Sequence, residues 1–121
     1  MVSPGDTFLG DPTGFSGGNH LWIVVAVNKS DMDTSVLAVL VNATTVVPRC
    51  DMTCVVNKGD HPFIVHASFI FYQKAAEIPV EDLATLKPQA RCSDGLLKRV
   101  RQGLHRSPHT KRGLKPKVPQ T

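Results

Sequence analysis

The chain has 121 residues, 41% of them hydrophobic, and a formal net charge of +4, enough to bury one hydrophobic core but hardly two. No apolar run approaches the ~18 residues of a membrane span, and Met1-Val2-Ser3-Pro4-Gly5-Asp6 lacks the basic and apolar regions of a secretory signal. Three cysteines, Cys50, Cys54 and Cys92, are an odd count without disulfide-framework spacing, so a soluble protein of the reducing cytoplasm is expected.

The opening Asp6-Thr7-Phe8-Leu9 follows a Pro-Gly turn signal and reads as a short strand. Asp11 to Asn19 holds one proline and the glycines Gly14, Gly17 and Gly18, a flexible loop. His20 to Val27 is almost wholly apolar and β-branched, the pattern of a strand buried on both faces. Ser35 to Thr45 is a second apolar strand that turns polar at its end. Met52 to Val56 and Ser68 to Gln73 complete about five strands, which argue for a mostly β domain, a small barrel or a compact curled sheet, over residues 1–90. Within it, Pro79 to Ala84 reads as a short helix ended by Pro88.

Ser93 is placed to cap a helix ending near residue 106, with Leu96, Leu97, Val100 and Leu104 as its apolar stripe and Lys98, Arg99, Arg101 and Arg106 on its other faces. From Ser107 to Thr121, prolines and basic residues predict a disordered tail. Charge follows the same division. Residues 1–90 hold five basic and nine acidic side chains, net −4, whereas residues 91–121 hold nine basic side chains and only Asp94, net +8. That asymmetry points to an anionic partner, with a merely solubilising tail as the alternative.

His20, at the junction of the glycine-rich loop and a buried strand, can face a cleft or simply cap the loop. His61 and His66 flank Pro62-Phe63-Ile64-Val65. Thr44 and Thr45 close the long second strand, where the backbone is fixed and the tip is solvated. Arg49, a few residues on, can supply a fixed positive charge for a phosphate. Cys50, Cys54, His61 and His66 include zinc-ligand types, but residues four apart on a strand stand roughly 13 Å from each other. Their spacing is not that of a zinc signature, and no metal or other cofactor is expected.

Pro4-Gly5-Asp6-Thr7-Phe8, the glycine-rich loop, the buried strand from His20 and the ending Val41-Asn42-Ala43-Thr44-Thr45 together resemble the PemK/MazF-like toxins of type II toxin–antitoxin systems. The resemblance covers about the first 75 residues. It implies an SH3-like barrel with C-terminal helical additions, a homodimer, and metal-independent cleavage of single-stranded RNA, with a cognate antitoxin as partner. Gly5 and Asp6 match the opening of the family pattern. His20 stands where the family carries its catalytic arginine, and Thr44 matches the active-site threonine. The proline that follows the arginine in the family is missing here, and the segment from Gly59 to His66 has no family counterpart.

Cleavage by the 2′-hydroxyl needs a base, an acid and positive charge on the phosphorane. His20 as acid or base, His61 or His66 as its counterpart, Thr44 as phosphate donor and Arg49 as cation would meet that need. Gly17, Gly18 and Asn19 would form a lip that orders around the nucleotide, with Thr45 beside Thr44. Lys98, Arg99 and Arg101 would attract RNA or an acidic antitoxin segment, and Phe63 or Trp22 would stack bases, core packing being the stronger expectation for Trp22. The alternative is a non-catalytic nucleic-acid- or protein-binding module on the same fold.

Overall fold

A computed structural model of the chain describes residues 1–14, 18–30 and 32–121. It is mostly β. Seven antiparallel strands are found among the described residues: β1 (Thr7–Gly10), β2 (His20–Lys29), β3 (Val36–Thr45), β4 (Val55–Val56), β5 (Ser68–Ile70), β6 (Ala76–Pro79) and β7 (Lys87–Gln89). The one α-helix among the described residues, α1 (Asp94–Arg106), follows them. The strands hydrogen-bond in the order β4-β5-β3-β2-β1-β7, with β6 also on β3, so they make one sheet of the mostly β class expected, not closed into a barrel.

The long strands β2 and β3 are the spine. They pair from Leu21↔Ala43 to Lys29↔Val36, with an irregularity between Val24 and Ala26. Alternation sends Trp22 and Val24 of β2 to one face, beside Phe8, Ala38, Leu40 and Leu83. Leu21, Ile23 and Val25 go to the other, beside Val39, Val41, Leu96, Val100 and Leu104. At the bulge Val25 and Ala26, though adjacent, join the same core, as one extra residue in the ladder requires. Because each face meets its own apolar layer, the middle of β2 reads as a continuous apolar run instead of alternating.

Helix α1 begins where expected, with the Leu96 N–H donating to Ser93 Oγ at 3.1 Å. Leu96, Val100 and Leu104 are buried with Leu97 against them. Gly103 faces the buried Tyr72, whose hydroxyl donates to the Val100 carbonyl at 2.8 Å. A β-carbon at 103 would collide with that hydroxyl, so only glycine lets the helix approach this closely.

Several boundaries differ from expectation. The strand expected over Met52–Val56 shrinks to β4, and that over Ser68–Gln73 ends at Ile70, continuing as a 3-10 turn at Tyr72–Lys74. Residues 80–85 are helical, but as a 3-10 helix, Val80–Thr85. Pro88 sits inside β7, which pairs only with β1 at the edge of the sheet, where its missing N–H costs no ladder bond. The segment after Ser107 is not a free tail. Leu114 and Val118 join the larger core, Ser107 and Thr110 are buried, and Thr110 Oγ1 donates to the Leu104 carbonyl at 2.7 Å.

Candidate functional site

The first residue of β2 and the penultimate residue of β3 meet at one end of the sheet, because the antiparallel register places the residues beyond Leu21↔Ala43 side by side. Thr44 Oγ1 lies 3.4 Å from His20 Nδ1 and donates to Asn42 Oδ1 at 2.9 Å. With its single proton directed to Asn42, the threonine oxygen receives a proton from Nδ1. That tautomer makes Nε2 the basic nitrogen of His20.

A cleft of about 540 Å³ opens over this pair. Asn19, His20, Thr44, Thr45, His66 and Ser68 supply its polar lining, and Val47, Phe63 and Val65 are among its apolar walls. Phe63 and Val65 are well exposed for side chains of their kind. Six residues singled out from the sequence, Phe63 among them, are thus gathered around one cavity.

His61 is not among them. It is 2% exposed and turned into the fold. Its Nδ1 accepts from the Phe63 N–H at 3.0 Å, which leaves Nε2 to donate to the Ala90 carbonyl at 2.5 Å, beside Thr7 Oγ1 at 3.3 Å. His61 therefore pins the wall of the cleft to the strand edge, and a catalytic role is replaced by a positioning one. Buried Ile64, whose N–H donates to the His61 carbonyl at 3.0 Å, anchors the same loop.

Arg49 is exposed and lines the neighbouring cavity, beyond Val47. Lys98 is exposed on α1 and outside the cleft. Arg99 donates to the Val55 carbonyl at 2.7 Å and pairs with Asp60 at 3.4 Å, and Arg101 donates to the carbonyls of Val25 and Thr121. These two helix arginines hold the fold together instead of lining the cleft. Gly18 and Asn19 are exposed at its approach, while Gly17 lies outside the described residues. Trp22 is fully buried, its indole N–H donating to the Gly10 carbonyl at 3.0 Å, so it packs the core, whereas Phe63 is exposed at the cleft.

Among the described residues, no group of three or more His, Cys, Asp or Glu side chains is placed to hold a metal ion. Cys54 and Cys92 are buried, and burial raises both thiols above their ordinary range. Asn42 escaped the sequence reading as a site residue, although an asparagine inside an apolar strand is itself a signal. Comparison of the chain with family models, with curated proteins and with solved structures finds no match. Among the described residues, no helix is long and apolar enough to cross a membrane.

Proposed function

We propose that this protein is a metal-independent endoribonuclease acting on single-stranded RNA, the toxin of a type II toxin–antitoxin pair, with the His20 cleft as its active site. The observation that carries this reading is the meeting of His20, Thr44 and His66 around one cleft with exposed apolar walls. His20 Nε2 takes the proton of the 2′-hydroxyl as that oxygen attacks phosphorus. His66, on the facing loop, returns a proton to the departing 5′-oxygen, leaving a 2′,3′-cyclic phosphate. Thr44 orients the imidazole and, with Thr45 and Asn19, offers hydrogen-bond donors to the phosphate. Phe63 and Val65 bound the space for a base. A cognate antitoxin and a homodimer partner belong to the same reading, and their support is the sequence resemblance.

One observation favours a second reading, a non-catalytic RNA-binding module. No lysine or arginine lines the cleft among the described residues, so no fixed cation meets the phosphorane charge there. Incubating the purified protein with a long single-stranded RNA in EDTA, beside His20→Ala and Thr44→Ala variants, separates the two. Cleavage leaving cyclic or 3′-phosphate ends, reduced about 100-fold or more in His20→Ala, is the expected result. Intact RNA that the protein visibly retards on a gel would mean the module reading is correct.

A further inference from the structure

Two further cavities lie in series beside the His20 cleft, each sharing a lining residue with its neighbour. Val47 on its rim also lines a cavity of about 220 Å³ with Arg49, Phe71, Gln73 and His109. Gln73 in turn lines a third, of about 460 Å³, together with Thr13, Lys74 and Lys111. The series carries Arg49, Lys74 and Lys111, with His109, against one carboxylate, Asp51. That carboxylate is already engaged by the hydroxyls of Ser107 and Thr53, each at 2.5 Å. Among the described residues no acid pairs with Arg49, Lys74 or Lys111, whereas Arg91, Arg99 and Lys117 each hold one.

Arg49 occupies a position that its backbone does not favour. In Ser3-Pro4-Gly5-Asp6 the Asp6 N–H donates to the Ser3 carbonyl at 3.1 Å, and Gly5 has φ of 95°. Val47-Pro48-Arg49-Cys50 repeats that turn, with the Cys50 N–H donating to the Val47 carbonyl at 3.3 Å and φ of 66° at Arg49. Proline second and a left-handed residue third is type II geometry, which selects glycine at the third place. The chain uses glycine in one turn and arginine in the other. Arg49 is the only non-glycine residue at positive φ among those described. A side chain kept where its backbone is disfavoured points to a use for that side chain.

We infer that the three cavities form one track for single-stranded RNA, in which Arg49 grips a phosphate midway and Lys74 and Lys111 hold the strand beyond it. Phe71, half-buried against Phe69 with ring centroids 5.0 Å apart, presents a surface on which a base stacks. The C-terminal segment contributes by packing on the sheet and so delivering His109 and Lys111. The inference rests on the RNA reading of the His20 cleft and extends it to the path of the strand.

The test uses the full chain and fluorescence anisotropy with two 2′-O-methyl RNAs of mixed sequence, a 12-mer and a trinucleotide, neither cleavable through its 2′-position. Lys74→Ala/Lys111→Ala weakens the 12-mer about tenfold at ~0.1 M salt and flattens the slope of log affinity against log salt by roughly 1.4, for two single-strand contacts. Trinucleotide binding in the cleft is unchanged. Arg49→Gly also weakens the 12-mer, while its Tm equals the parent's or rises by about 2–4 °C as the turn relaxes. Parental 12-mer affinity in either variant overturns the track. Unmodified RNA, run in parallel, keeps the two proposals apart. Cleavage with undiminished affinity in the variants removes the track alone, and affinity loss without any cleavage by the parent upholds the track while removing the nuclease. A parent that binds no RNA overturns both.

Discussion

His20 and His61 show how the same side chain takes opposite roles from its surroundings. His20 sits at the rim of the cleft with its ring against a threonine. His61 is enclosed, with both ring nitrogens committed to backbone groups of Phe63 and Ala90. Removing the enclosed ring leaves the Phe63 N–H without its acceptor and empties its buried site, a loss of about 1–3 kcal/mol. Removing the half-buried rim ring costs less, since His20 is not enclosed as His61 is. His61→Ala should therefore show a clearly lower urea midpoint than His20→Ala, while under the proposed nuclease function His20→Ala suffers the larger loss of activity. The opposite ranking in the denaturation curves would refute these assignments. The sequence could place His20 and Thr44, because both lie at the ends of strands whose apolar pattern is unmistakable. It could not place His61, whose partners Thr7 and Ala90 are 54 and 29 residues away.

At the scale of elements, legibility follows how much of an element's stability is written in its own pattern. Strands β2 and β3 and helix α1 each carry many apolar residues at one period, so their existence and faces are readable. Strands β6 and β7 have four and three residues and exist because β3 and β1 present unpaired edges to them. The C-terminal segment has few apolar residues, yet Leu114 and Val118 find a surface built by the sheet and α1. Asp51 fastens this segment through Ser107, which is fully buried. Partial burial acts to raise the Asp51 carboxyl, but the hydrogen bonds from Ser107 and Thr53, with the His109 charge, outweigh it and hold the pKa below its ordinary value of 3.8. A carboxyl lowered on folding binds fewer protons in the folded state. Its stabilisation is present above about pH 4 and is lost as pH falls through the folded value. Asp51→Asn should cost about 1 kcal/mol at neutral pH, and the gap between parent and variant should close as pH falls below the ordinary carboxylate range. A gap independent of pH would show that the Asp51 charge does not hold the segment.

For the whole molecule, the charge division has a second meaning beside the anionic partner it suggested. All three ion pairs among the described residues join the acidic body to the basic C-terminal portion: Asp6–Arg91, Asp60–Arg99 and Glu77–Lys117. Part of the asymmetry is thus internal complementarity, which helps seat α1 and the segment after it on the sheet. Lys111 of the basic portion forms no ion pair among the described residues, and Arg49 and Lys74 of the body line the same neighbouring cavities. Pairing within the fold and binding of an outside anion differ sharply in their response to salt. The internal pairs are partly exposed and worth about 0–1 kcal/mol each, so screening them removes little from a fold held mainly by two apolar layers. RNA held at several phosphates releases counterions, and its affinity falls as a power of the salt concentration. Raising salt from about 0.05 to 0.5 M should lower Tm by no more than a few degrees. The same change should weaken binding of the 12-mer by roughly 100-fold for three phosphate contacts, at a slope of about −2. A steep loss of Tm with salt-insensitive binding would mean that the basic residues serve the fold and that the strand is held by stacking alone.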